Sequence, residues 1–120
     1  MKYVWTTIMV KDLEKSLEFY RDFIGLKVNR RFASGPNQEI VFLGDGETEV
    51  ELIENKQESF TAGNAISLGF AVESLDETIK LLKEKSINIV SEIIEPNPTI
   101  KFIYVLDPNG VKVQFSETLN

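Results

Sequence analysis

The chain repeats itself, and the repeat limits what it can fold into more than any other feature. Val10-Lys11-Asp12-Leu13-Glu14-Lys15-Ser16-Leu17 matches Val72-Glu73-Ser74-Leu75-Asp76-Glu77-Thr78-Ile79 at an offset of 62 residues. Val50-Glu51-Leu52-Ile53-Glu54 matches Val113-Gln114-Phe115-Ser116-Glu117 at an offset of 63, and Ile40-Val41-Phe42-Leu43 aligns with Ile103-Tyr104-Val105-Leu106 at that same offset. The first match keeps a helix-capping position and the others keep strand alternation, as a tandem duplication would. A chain of 120 residues is one domain's worth, so a single domain over 1–120 is expected: repeat one at about 1–55, a connector at 55–65, and repeat two at about 66–117.

Within each repeat the pattern is strand, helix, then three strands. Tyr3 to Val10 is rich in β-branched and aromatic residues and reads as a strand. Asp12 suits a helix N-cap, and Leu13, Leu17 and Tyr20 recur on one helical stripe that ends at Gly25. Strands are predicted at Leu26 to Phe32, Ile40 to Leu43 and Glu49 to Ile53, separated by Ser34-Gly35-Pro36-Asn37 and Gly44-Asp45-Gly46. The second copy predicts a strand at Ser67 to Val72 and a helix at Ser74 to Lys85, with Ser74-Leu75-Asp76-Glu77 spaced as a capping box. Strands near Ile87 to Ile93, Phe102 to Leu106 and Val111 to Ser116 follow. The fold class is α+β: tandem βαβββ repeats whose concave mixed sheet surrounds a cleft.

Alternation divides each strand between the helix side and the cleft side. Thr6, Ile8 and Val10 suit the helix side, leaving Trp5, Thr7 and Met9 for the cleft. By the same rule Ser67, Gly69 and Ala71, Glu49, Glu51 and Ile53, and Lys112, Gln114 and Ser116 face the cleft.

Charge and composition remove several classes of function. A net charge of −6 and a pI near 4.7 oppose binding to phosphate backbones, so no nucleic-acid partner is expected. No stretch approaches the roughly 20 apolar residues of a membrane span, and none is expected to engage a membrane. The chain has no cysteine, which excludes disulfides and suggests the reducing cytoplasm. It has no histidine either, which removes the commonest metal ligand and the commonest general base together.

Trp5-Thr6-Thr7-Ile8-Met9-Val10-Lys11-Asp12-Leu13, followed by Ser16, Phe19-Tyr20 and Gly25-Leu26, resembles the first strand and helix of glyoxalase I. Leu106-Asp107-Pro108-Asn109-Gly110-Val111-Lys112-Val113-Gln114-Phe115 resembles the DPDG turn and final strand of the vicinal-oxygen-chelate superfamily, which contains the glyoxalases, bleomycin-resistance proteins and extradiol dioxygenases. The resemblance covers nearly the whole chain. It implies a metal site with one ligand from each of four strands, at Trp5, Glu51, Ser67 and Gln114. The internal offsets relate the same positions, Trp5 to Ser67 by 62 and Glu51 to Gln114 by 63.

Three of these four residues are poor ligands. Indole is a donor only, and the Ser67 hydroxyl and Gln114 amide are neutral. A zinc or nickel centre takes about three strong protein ligands, so no metal and no cofactor are expected, and glyoxalase-I chemistry is not. Glu51 is left as a pairing partner for Gln114, Lys112 or Thr7, as an anchor for a ligand beside Trp5, or as a general base. Tyr104 lies at a position that points into the pocket in related resistance proteins, although a core tyrosine is an equal reading. The expected ligand-binding set is Trp5, Thr7, Glu51, Ser67, Tyr104 and Gln114. The expected function is metal-independent binding of a small organic molecule by a homodimer, and the alternative is a lyase or isomerase using Glu51 as base or residual metal ligand.

Overall fold

A computed structural model describes residues 1–119. The chain forms two compact units, Met1–Thr61 and Ala62–Asn120, and each holds a four-stranded mixed sheet. The architecture is α+β, one βαβββ repeat to a unit. Among the described residues, no helix is long and apolar enough to cross a membrane.

In the first unit, β1 (Trp5–Val10) pairs in parallel with β4 (Glu49–Asn55), and β3 (Gln38–Leu43) and β2 (Val28–Ala33) continue the sheet antiparallel in the order β1-β4-β3-β2. The connection from β1 runs through α1 (Leu13–Leu17), which continues directly as a π-helical segment over Glu18–Phe23. Asp12 caps α1, its carboxylate accepting the Lys15 N–H at 3.2 Å. Gly25, at φ +93°, ends the helix as its position in the sequence predicts. The predicted stripe is buried: Leu13, Leu17 and Tyr20 meet Ile8, Val10, Val41, Leu43 and Leu52 in one core. Each such fully buried aliphatic side chain contributes roughly 2 kcal/mol of transfer free energy.

The second unit repeats this plan. Here β5 (Ser67–Ala71) pairs in parallel with β8 (Lys112–Thr118), followed antiparallel by β7 (Ile100–Leu106) and β6 (Ile94–Asn97). Its helix, α2 (Leu75–Glu84), starts after Ser74, whose hydroxyl accepts the Glu77 N–H at 3.2 Å. The core gathers Leu75, Leu82, Ile103, Val105, Val113 and Phe115.

The repeat extends to side chains that lock helix to sheet. Glu54 of β4 accepts the Leu13 N–H at 2.8 Å, and Glu117 of β8 accepts the Leu75 N–H at 2.6 Å. Each satisfies a backbone donor that the first helical turn cannot, and places negative charge at the positive end of the helix dipole.

Three expectations are corrected. The strand predicted near Ile87 to Ile93 does not form; the segment makes only an isolated bridge, Ile89 to Val105, and the fourth strand begins at Ile94. Tyr104 donates its N–H to the Ser91 hydroxyl at 2.9 Å, and this side-chain acceptor at Ser91 interrupts the ladder. The alignment of Ile40-Val41-Phe42-Leu43 with the second copy is off by one. Phe42 faces Glu51 and Tyr104 faces Gln114, so the true counterpart of Phe42 is Tyr104, at an offset of 62. Strand ends also move: β2 begins at Val28 rather than Leu26, and β4 runs on to Asn55.

Candidate functional site

Each sheet has one face under its helix and one face open in the sense that its own helix does not cover it; on the first sheet Ile40, Phe42 and Glu51 of that face are buried nonetheless. On the first sheet the register sets four side chains in a single row: Thr7 opposite Glu51, Glu51 opposite Phe42, and Phe42 opposite Arg30. A second row runs Met9, Ile53, Ile40, Phe32. Alternation in β1 and β4 therefore turns Thr7, Met9, Glu51 and Ile53 away from the helix, while Ile8, Val10 and Leu52 pack beneath it.

Glu51 is the central group of this face. It is 9% exposed, and the Thr7 hydroxyl donates to its Oε1 at 2.6 Å. Of the pairings open to Glu51 from sequence, the bond to Thr7 is therefore present. That bond uses one of roughly four lone-pair directions on the carboxylate and leaves acceptor capacity for a ligand's N–H or O–H.

Beside Glu51 lies an aromatic platform. The Trp5 ring meets Phe42 edge-on with centroids 5.2 Å apart, and Phe32 stacks against Phe42 at 6.4 Å. Trp5 and Phe32 are 43% and 42% exposed, whereas Phe42 is buried. The Arg30 guanidinium carbon sits 4.0 Å from the Phe42 centroid, a cation–π contact.

The second sheet carries Ser67, Tyr104 and Gln114 on its open face. Gly69 pairs with Gln114, and Gln114 with Tyr104, a row equivalent to Thr7, Glu51 and Phe42. The Gln114 amide donates to the Tyr104 hydroxyl at 3.2 Å, and the Lys112 ammonium lies 4.3 Å from the Tyr104 ring centroid. Phe102 meets Tyr104 edge-on at 5.7 Å. Ser67 stands next along β5, opposite Lys112, and is exposed. The pairing of β5 with β8 is regular, so Gly69 marks no bulge. A Cβ there would meet only the Gln114 Oε1, at 3.5 Å.

The six residues expected to bind a ligand thus fall as two sets: Trp5, Thr7 and Glu51 on the first open face, and Ser67, Tyr104 and Gln114 on the second. As a donor set for a metal, the four family positions do not fit. Trp5 has no acceptor, the Ser67 hydroxyl and the Gln114 amide oxygen are neutral, and Glu51 is the sole carboxylate among the four. Among the described residues, no group of three or more His, Cys, Asp or Glu side chains is arranged to hold a metal ion.

Arg30 and Phe42 belong to the site but escape a reading of the sequence. The cause is a bulge. Between Val28, opposite Leu43, and Arg30, opposite Phe42, β2 carries the extra residue Asn29. Strict alternation from Val28 would put Arg30 beneath the helix, and the bulge turns it to the open face instead. The bulge is pinned by the Asn29 amide, which donates to the Gly44 carbonyl at 2.9 Å and to Glu49 at 3.1 Å. Arg31, next in sequence, goes to the other face and bridges Glu39 at 2.5 Å and Glu14 at 2.7 Å. Its hydrogen bonds to Glu39 and then Glu14 raise the guanidinium pKa above its ordinary value.

Residues 2–115 match the sequence model of a family described as the Glyoxalase/Bleomycin resistance protein/Dioxygenase superfamily. A lactoylglutathione lyase of Haemophilus influenzae is 31% identical over 98% of this chain and 93% of its own length. A lactoylglutathione lyase of Neisseria meningitidis is 32% identical over 96% of this chain and 89% of its own. Among solved structures, the trypanothione-dependent glyoxalase I of Leishmania major superposes with a TM-score of 0.81 at 27% identity, covering 96% of this chain and 85% of that one. A glyoxalase-family protein of Bacillus cereus superposes at 0.82 over all of this chain and 94% of its own, at 22% identity, and so bears on the fold alone.

Proposed function

The chain belongs to the glyoxalase/bleomycin resistance protein/dioxygenase superfamily, and from that premise we propose that it binds a small organic molecule without a resident metal. The observation that carries the reading is the company Glu51 keeps. A buried carboxylate steadied by the Thr7 hydroxyl lies beside an aromatic platform, and the position expected to add a second ligand is the donor-only Trp5. Such a constellation orients a ligand by hydrogen bonding to Glu51 and by ring contact on the exposed Trp5 and Phe32. A homodimer in a reducing cytoplasm is part of the same proposal, the latter resting on the absence of cysteine.

The test has two arms. Protein purified without chelators or an affinity tag should contain less than about a tenth of a metal per chain, given so few ligands. A broad thermal-shift panel of aromatic and polar compounds should raise the melting temperature through preferential binding to the folded state. One metal per chain would overturn the metal-free reading, and a panel without a single stabiliser would overturn binding. Sedimentation velocity reads the dimer directly.

A second reading is favoured by the burial of Glu51 and by relatives that carry the name lactoylglutathione lyase. In it, Glu51 is the base in a proton transfer. Turnover of lactoylglutathione in either direction, abolished by Glu51→Gln, would establish it. A binding protein would show no turnover, and the same substitution would lower ligand affinity.

A further inference from the structure

The chain has three arginines. Two are committed to carboxylates: Arg21 to Asp22 at 2.8 Å, and Arg31 to Glu39 and Glu14. Among the described residues, Arg30 has no carboxylate within ion-pair distance, and its recorded contact is the face of Phe42. A cation–π contact engages the guanidinium's charge but not its planar fork of N–H donors. That fork matches the two oxygens of a carboxylate.

We infer that the open face of the first sheet is a subsite for the carboxylate of a small organic acid, with Arg30 taking the carboxylate and the exposed Trp5 and Phe32 rings, which pack on the buried Phe42, taking an apolar body. The inference rests on the small-molecule reading above and names the ligand class for it. The row sets the ligand's dimensions. Arg30 and Glu51 stand two strands apart with Phe42 between them, a separation of about 10 Å at the usual strand spacing. A ligand with a carboxylate at one end, an apolar or aromatic middle and a hydrogen-bond donor at the other end meets Arg30, the exposed rings of Trp5 and Phe32, and Glu51.

The chain's net charge of −6 does not oppose this. At physiological ionic strength charges beyond about 8 Å are largely screened, so the guanidinium in direct contact outweighs distant carboxylates. The second unit uses the same device with different residues. Lys112 lies over Tyr104, the repeat counterpart of Phe42. A cation over the third-strand aromatic thus arises twice, from β2 in one copy and from β8 in the other.

Trp5 is the sole tryptophan and touches Phe42, so its fluorescence reports on this face directly. The probe is 3-phenylpropionate, which is transparent where tryptophan is excited, and its control is the neutral 3-phenylpropanamide. Saturable change with the acid is expected, with the amide binding at least about tenfold more weakly because it lacks the charge-assisted fork. Arg30→Gln should weaken the acid by at least about tenfold and leave the amide unchanged, and Arg30→Lys should recover part of the loss. The melting temperature of Arg30→Gln establishes that the variant folds. Equal binding of acid and amide, or an undiminished affinity in Arg30→Gln, would overturn the inference while leaving small-molecule binding intact. No response to either probe would also overturn it, and the thermal-shift panel then decides separately whether small-molecule binding survives.

Discussion

Glu54 holds the first turn of α1 to the sheet by accepting the Leu13 N–H at 2.8 Å. Its counterpart Glu117 does the same for Leu75 at 2.6 Å. Glu54→Ala and Glu117→Ala are each expected to cost about 1 kcal/mol, the usual loss on removing a side-chain cap. Urea unfolding monitored by circular dichroism measures both. An unchanged midpoint in both variants would show that water replaces the carboxylates without loss.

Asp107 is the organising group of the β7–β8 turn. Its buried carboxylate accepts the N–H groups of Asn109 at 2.7 Å and Val111 at 2.8 Å, and the chain reverses through Gly110 at φ +85°. Asp107→Ala removes a charged acceptor from two backbone donors and should destabilise by about 2 kcal/mol. Asp107→Asn keeps an acceptor and should recover about half of that loss. Amide hydrogen exchange localises the effect: protection should fall first at Val111 and along β8.

Gly69 lies in a regular strand with room for a methyl group, a Cβ there meeting only the Gln114 side chain at 3.5 Å. Gly69→Ala should stabilise the protein by about 0.5 kcal/mol, because alanine leaves less backbone freedom to lose on folding. A destabilised variant would indicate that the Gln114 amide cannot yield.

The Arg21 side chain hydrogen-bonds Asp22 and lowers its carboxyl pKa below the ordinary 3.8. A folded value below the unfolded one stabilises the native state above the unfolded pKa, and that contribution disappears as pH falls through the folded value. Both side chains are on the surface, so screening keeps the effect small. Arg21→Gln should move the Asp22 titration midpoint upward in carboxyl-detected NMR, and an unmoved midpoint would dismiss the pairing in solution.

The fold was legible because the duplication writes its plan twice. Asp12 and Ser74 announce both helices, and alternation in β1, β4 and β8 assigns Thr7, Glu51 and Gln114 to the open faces with no other information. What stayed hidden depends on partners distant in sequence. Nothing around Ile89 reveals that the Ser91 hydroxyl will take the Tyr104 N–H and interrupt a strand. The π-helical turn over Glu18–Phe23 shares its residue types with an ordinary helix. Arg30 was hidden most completely, because a bulge changes which face a residue occupies without changing its neighbours in the sequence.

That bulge also governs how the strand tolerates a change of length. Asn29 is the extra residue, absorbed between Val28 and Arg30 without reversing either. A relative one residue shorter at this point keeps both arginines on their faces, one toward solvent and one bridging Glu39 and Glu14. A deletion two residues further on would turn over everything before it, and a sequence alignment that misplaces the gap would exchange the two arginines on paper. Position 29 is therefore where this strand can gain or lose a residue during divergence, and the column from which arginines in related chains must be counted.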